Sequence, residues 1–132
     1  MKGLDTNLLV RYLVKDDPEQ AEKAIAYIQK VVASGENCFI NHLVLCELVW
    51  VLESAYGYKK KEIADVLQKL LMTKQFEIEL KDTARQAINQ YSRDKGDLAD
   101  YLIGNINHLN GCDVTATFDH DLKNCQSFIL LE

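Results

Sequence analysis

The chain opens with Met1-Lys2-Gly3-Leu4-Asp5-Thr6-Asn7-Leu8-Leu9-Val10, where an apolar strand pattern changes to a helical one at a single carboxylate. Lys2 to Leu4 predicts a short first strand that ends at Asp5, and Asn7 to Val14 predicts a helix. In open parallel α/β sheets, ligands bind beyond the carboxyl ends of the strands. The opening therefore predicts an α/β fold with Asp5 at the ligand-binding edge.

Strands and helices alternate along the rest of the chain. Asp17-Pro18-Glu19 has the N-cap and the N1 proline of a helix start, and Asn41 can cap a helix from His42 to about Tyr56. The other predicted elements are strands at Cys38–Ile40, Phe76–Leu80, Val114–Thr117 and Phe128–Leu131, and helices at Lys59–Leu71, after Asp82, and at Asp97–Leu109. This alternation predicts a three-layer α/β sandwich, with a mainly parallel central sheet of four to five short strands flanked by helices.

Length and composition predict one domain over residues 1–132, with 48% hydrophobic and 27% charged residues. The longest apolar stretch, Leu43 to Leu52, is interrupted by Glu47 and is too short to cross a bilayer. No signal-peptide pattern precedes Asp5, so we expect a cytoplasmic protein. The four cysteines show no CxxC spacing, which argues against zinc.

A net charge of −5 argues mildly against a general nucleic-acid binder, because phosphate contacts require Lys and Arg. Three local groups of cations remain: Lys59-Lys60-Lys61, Arg11 with Lys15, and Arg93 with Lys95. Each is typical of a solvated helix end. Only a location beside the acidic residues would give such a group a binding role.

Four carboxylates carry the functional hypothesis: Asp5, Glu47, Asp100 and Asp119, which we name the four candidate acids. Each lies inside or against an apolar run without a neighbouring Lys or Arg, and Glu47 has apolar neighbours on every side. An unpaired buried carboxylate is costly and tends to take up a proton. We therefore predict that the four converge on a divalent cation and that Glu47 has little access to water.

Ligands that offer only oxygen suit Mg²⁺ or Mn²⁺, one or two ions per site. Asp5 and Asp100 are expected to bind directly, whereas Glu47 and Asp119 act through water or hold a second ion. Such an ion activates water and offsets the charge of a scissile phosphate. Four further residues are accessory candidates: Asp97, Thr6, Asn7 and Thr117.

Structural roles are the alternatives for the aspartates: Asp97 and Asp100 can complement the positive end of a helix dipole, and others can cap helices. Asp5, Asp97 and Asp119 each stand where a helix or short turn begins, and Asp97 is a natural N-cap. Glu47 has no capping role. The three histidines, His42, His108 and His120, do not have the spacing of a metal motif.

The acidic segments also carry a resemblance to a known family. Met1 to Tyr12 resembles the opening of PIN-domain proteins, particularly the VapC-type toxins of bacterial toxin–antitoxin pairs. Asn41 to Leu52 resembles the second motif of that family, Asp97 to Ile103 the third, and Thr117 to Leu122 the fourth. The four motifs occur in order over essentially the whole chain.

The resemblance implies a PIN-like fold and an endoribonuclease that cleaves structured RNA, such as tRNA or rRNA, with Mg²⁺ or Mn²⁺. It also implies a homodimer neutralised by a small VapB-like antitoxin, whose tail covers the active-site groove. The four candidate acids match the family's acidic positions, with Asp97 as an accessory acid. Two alternatives stay open: a PIN-like module that binds RNA or a partner without cutting, and a receiver-like phospho-acceptor. The second fits poorly, because Asp5 has no adjacent acid and no Lys follows Phe128 to Leu131.

Overall fold

The computed structural model describes residues 1–132 and divides into two compact units, Met1–Lys81 and Asp82–Glu132. The helices are α1 (Thr6–Val14), α2 (Pro18–Ala33), α3 (His42–Ser54), α4 (Lys60–Met72), α5 (Lys81–Arg93) and α6 (Leu98–Leu109). The strands are β1 (Lys2–Gly3), β2 (Cys38–Ile40), β3 (Phe76–Ile78), β4 (Thr115–Thr117) and β5 (Phe128–Leu130), and a 3₁₀ helix spans His120–Leu122. The predicted α/β class is confirmed, whereas the single domain stays a prediction.

The unit Met1–Lys81 contains a three-stranded parallel sheet in the order β1-β2-β3. A pair of helices connects each strand to the next, as parallel pairing requires. The carboxyl ends of the three strands are followed by Asp5, Asn41 and Glu79. Parallel strands place these three positions at one edge of the sheet.

Aliphatic side chains form the core of this unit. Its most deeply buried large side chains are Leu9, Ile40, Leu45, Leu48, Leu52, Ile63, Leu67 and Leu70. Burying each such side chain contributes about 1.5–3 kcal/mol. On α2 the spacing of Ala21, Ala24, Ile28 and Val31 puts one apolar stripe in the core.

Two helix starts are capped as the sequence predicts. The carboxylate of Asp17 accepts a hydrogen bond from the Gln20 amide at 3.1 Å, with Pro18 at the first helical position. The side chain of Asn41 accepts from the Val44 amide at 2.9 Å. Both predictions are confirmed.

The unit Asp82–Glu132 contains α5 from Asp82 onward, α6, the 3₁₀ helix and the parallel pair β4–β5. Residues 118–127, which include the 3₁₀ helix, carry the chain back so that β5 runs in the direction of β4. Gly104 on α6 allows a close approach to β5, because a Cβ there would lie 2.8 Å from a ring carbon of Phe128.

Three details differ from the predictions. The five strands form a sheet of three and a separate pair, not one continuous sheet. Strand β3 ends at Ile78 because Leu80 adopts a left-handed backbone with φ of 42°. Asp82 does not cap α5, since the helix already begins at Lys81; its carboxylate instead accepts from Arg85 at 2.8 Å.

No helix combines the length and the apolar composition that spanning a membrane would require.

Candidate functional site

Asp5 stands between β1 and α1 and is the N-cap of that helix. Its Oδ1 accepts a hydrogen bond from the Thr6 amide at 2.6 Å, and its backbone is extended, with φ of −81° and ψ of 156°. The side chain is exposed. The predicted capping role and a free second oxygen, Oδ2, therefore coexist in one carboxylate.

Thr6 joins this cap to Glu47. The Thr6 side chain is buried, and its hydroxyl donates to Glu47 Oε1 at 2.6 Å. Glu47 Oε2 takes part in no hydrogen bond. Asp5 and Glu47, which are 42 positions apart in sequence, are thus linked through one residue. Asn7, the neighbouring accessory candidate, is exposed in the first turn of α1.

The predicted burial of Glu47 is wrong, because its side chain is exposed. Leu43 and Trp50 lie four residues before it and three after it, on the same face of α3, and are 76% and 69% exposed. The opposite face of α3 carries the core residues Leu45, Leu48 and Leu52. Because both faces of α3 carry apolar residues, the sequence does not show which face of the helix is exposed.

Glu79 is an acid at the same sheet edge that the sequence reasoning missed. Its Oε1 accepts from the His42 amide at 2.9 Å, and its carbonyl oxygen lies 2.6 Å from His42 Nε2. These bonds fasten the start of α3 to the end of β3, and they give His42 a structural role. The strand-end rule that found Asp5 also applies to Glu79, which directly follows β3.

In the second unit, Asp100 lies in the first turn of α6, where its Oδ2 accepts from the Asp97 amide at 3.0 Å. Burial raises the pKa of the Asp100 carboxyl, although the hydrogen bond from Asp97 opposes this. The negative charges of Asp97, Asp119 and Asp121 raise that pKa further. We name these four residues the acid cluster.

Asp119 caps the 3₁₀ helix that follows β4. Its Oδ1 accepts from the Asp121 amide at 2.9 Å, and its own amide donates to Thr117 Oγ1 at 3.0 Å. The side chains of Asp119 and Asp121 are exposed. Asp121 was not predicted as a site residue, although its position two residues after Asp119 is a usable signal.

Each unit therefore brings together part of the predicted set: Asp5 with Glu47 in one, and Asp100 with Asp119 and Asp97 in the other. The premise of four buried carboxylates is wrong, because Asp100 alone among them is partly buried. Neither unit contains a group of three or more His, Cys, Asp or Glu side chains arranged to hold a metal ion. The shared site of the four candidate acids stays a prediction.

The donor chemistry of the four candidate acids fits a hard divalent cation. In each carboxylate one oxygen accepts a hydrogen bond that orients the group, and the other oxygen takes part in none. Oriented carboxylates with a free oxygen suit Mg²⁺ or Mn²⁺, which prefer oxygen ligands and retain several waters.

Comparison with known proteins identifies the family of this chain. Residues 3–126 match the family model described as PIN domain. The chain is also 33% identical over 102 residues to the VapC ribonuclease of Aquifex aeolicus (strain VF5), covering 77% of this chain and 75% of that protein. The chain therefore belongs to the PIN-domain family. The resemblance to VapC-type PIN proteins and the PIN-like α/β fold, both expected from the sequence, are confirmed.

Proposed function

We propose that this protein is a divalent-metal-dependent endoribonuclease that acts as the toxin of a toxin–antitoxin pair. It hydrolyses phosphodiester bonds of structured RNA, of the tRNA or rRNA class. The observation that carries the proposal is the similarity to a VapC ribonuclease over three quarters of both chains. The oriented carboxylates with free oxygens add support from the residues themselves.

The four candidate acids act together in this hydrolysis. Asp5 and Asp100 would hold Mg²⁺ or Mn²⁺, one or two ions per site, with Glu47 and Asp119 as further ligands directly or through water. When bound, such an ion would offset charge on the scissile phosphate and make water easier to deprotonate. Glu47 or Asp119 orients the attacking water and accepts its proton.

Neighbouring polar groups hold these acids in position. The buried Thr6 hydroxyl fixes one oxygen of Glu47, and Thr117 fixes the backbone of Asp119. Asp97 supports Asp100 through its backbone amide, and the exposed Asn7 side chain donates to substrate phosphate. Groups that orient a ligand in this way typically change activity by 10–100-fold when they are removed.

The partners we propose are a small VapB-like antitoxin and a second copy of this chain, both in the cytoplasm. The antitoxin tail covers the face that carries Glu47. The exposed Leu43 and Trp50 on either side of Glu47 support this, because adjacent exposed apolar side chains mark interaction surfaces.

Cleavage assays on RNA with conservative variants test the proposal. Purified protein is incubated with total tRNA and rRNA in Mg²⁺, in Mn²⁺ and in EDTA. We expect discrete fragments with either ion and none in EDTA. Asp5→Asn and Asp100→Asn should each reduce cleavage at least about 100-fold, more than a change in a supporting group would cost.

Asparagine keeps the cap bond and removes the charge, so these variants separate catalysis from capping. The matched control is Asp17→Asn, because Asp17 is also an aspartate N-cap, and it should cleave like the wild type.

The second candidate function is a PIN-like module that binds without cutting. This function is favoured by the positions of Asp5, Asp97 and Asp119 as N-caps, because capping explains these aspartates without any catalytic role. RNA binding by wild-type protein without fragments in either ion would support this second function, whereas fragments that persist in both asparagine variants would contradict the first.

A further inference from the structure

The unit Asp82–Glu132 has a pocket of about 340 Å³ next to its acids. Arg93 at the end of α5, Lys95 in the following loop and Lys123 after the 3₁₀ helix all line it. His120 and Asp121 line it as well, and both lie within three residues of Asp119 in sequence. We name it the cationic pocket.

The charge of this unit makes the pocket unusual. Residues 82–132 contain eight Asp and Glu but four Lys and Arg, and three of those four line the cationic pocket. The fourth, Arg85, is paired with Asp82 at 2.8 Å, whereas none of the three pocket cations forms an ion pair. Two carboxylates, Asp94 and Asp121, also line the pocket, so cations outnumber acids there. Unpaired cations collected in one concave place attract an anion.

The loop after α5, which carries Lys95 and lines one side of the pocket, is fixed by close contacts. The amide of the buried Gly96 donates to the Tyr101 hydroxyl at 2.9 Å. A Cβ at Gly96 would lie 2.7 Å from Leu122 Cδ2 and 2.8 Å from the Tyr101 oxygen. The loop after α5 is therefore packed directly against α6 and the 3₁₀ helix. These elements carry the acid cluster, so the pocket cations stand at a set position relative to it.

We propose that the cationic pocket binds a phosphate of the RNA strand next to the one that is cleaved. This inference rests on the proposed ribonuclease function. Asp121 belongs to both the pocket and the acid cluster, so an RNA backbone that crosses the acids enters the pocket at its neighbouring phosphate. Arg93 offers a planar guanidinium that can bind phosphate with two hydrogen bonds, and Lys95 and Lys123 add point charges. The pocket supplies the local attraction that an RNA needs on a chain of net charge −5.

Binding measurements on an inactive background test this pocket. The Asp100→Asn protein, with and without Arg93→Gln/Lys95→Gln/Lys123→Gln, is titrated against a short fluorescein-labelled single-stranded RNA of mixed sequence. Fluorescence anisotropy gives the Kd at several salt concentrations. We expect the triple change to raise Kd at low salt about tenfold or more. It should also reduce the slope of log K against log salt by about 0.7, the contribution of one phosphate contact to a single strand.

The matched control removes three cations elsewhere, with Lys61→Gln/Lys69→Gln/Lys74→Gln on the same background. These side chains are exposed and form no ion pair, as in the pocket set. Equal weakening by both triple changes would show a general charge effect and overturn the inference. Lys123→Glu alone is the second variant, because it reverses one exposed charge and keeps the loop after α5 unchanged. If RNA binding is unaltered both in Lys123→Glu and in the pocket triple, the inference is also overturned.

Cleavage by otherwise wild-type protein separates this inference from the proposed function. The pocket triple should raise KM with little change in kcat, as expected when binding is lost equally in ground and transition states. If wild-type protein cleaves RNA and the pocket triple binds and cleaves equally well, the pocket inference fails and the ribonuclease assignment stands. If wild-type protein neither cleaves nor binds RNA, both fail.

Discussion

In Met1–Lys81 two candidate acids are joined through one buried threonine, whereas in Asp82–Glu132 four aspartates lie around the start of α6 and the 3₁₀ helix. The first arrangement orients Asp5 and Glu47 by hydrogen bonds, with Asp5 and Glu47 exposed. In the second, burial raises the Asp100 pKa, and the negative charges of Asp97, Asp119 and Asp121 raise it further. Within one chain, hydrogen bonds orient the acids of the first unit, whereas in the second unit burial, together with neighbouring negative charge, makes charge on Asp100 unfavourable unless a cation offsets it.

The largest expected effect concerns the proposed action of Asp5 and Asp100 in one reaction. Asp5→Asn and Asp100→Asn should each reduce kcat at least about 100-fold, and the double variant should be no worse than the poorer single one. Residues that act as a unit in one step show such non-additive losses. Single-turnover cleavage of RNA in Mg²⁺ measures the three rates. Multiplied losses in the double variant would mean that the two acids act independently.

A smaller effect is expected from the threonine that joins Asp5 to Glu47. Thr6→Val keeps the shape and removes the hydroxyl that donates to Glu47, so cleavage should fall about 10–100-fold. Thr6→Ser restores the donor and should recover most of the rate. Glu47→Gln in combination with Thr6→Val provides the check, because the threonine change should then have no further effect on kcat.

The packing of the second unit predicts a loss of stability. Gly96→Ala places a Cβ within 3 Å of Leu122 and Tyr101, so the free energy of unfolding should fall by about 1–3 kcal/mol. Gly3→Ala in the other unit is the matched control, since a Cβ there would meet nothing within 4 Å. Urea denaturation followed by circular dichroism compares the two variants. Equal stability of both would contradict the close packing of the loop after α5.

The smallest expected effect is the pH dependence of stability caused by Asp100. Its pKa is raised on folding, so as pH rises the unfolded chain loses this proton first and stability decreases. Asp100→Asn removes that loss. In chelator the variant should melt at a slightly higher temperature than wild type near neutral pH, and the difference should vanish below about pH 3.9, the ordinary Asp value. A variant that melts lower at neutral pH would mean that the Asp100 carboxylate contributes more as a cap than its charge costs.

Local sequence signals predicted most of the elements and the ends of several. Caps and short strands depend on neighbouring residues alone. For this reason the sequence predicts the N-caps at Asp17 and Asn41 and the strand that precedes Asp5. Glu79 was missed because the predicted strand continued to Leu80, and Asp121 was missed because no apolar run encloses it. The exposure of Glu47 was mispredicted for a related reason: apolar composition does not tell a core-facing position from a surface-facing one on the same helix.

The sequence by itself determined the α/β class, the family, and the order of the acidic motifs, because periodicity and short motifs are local properties of the chain. Tertiary structure alone decided that Thr6 reaches Glu47, that the aspartates of the second unit share one electrostatic environment, and that Arg93, Lys95 and Lys123 line one pocket. These facts depend on how distant segments pack. Hydrogen bonds and charge interactions act over a few ångströms of space, regardless of separation along the chain.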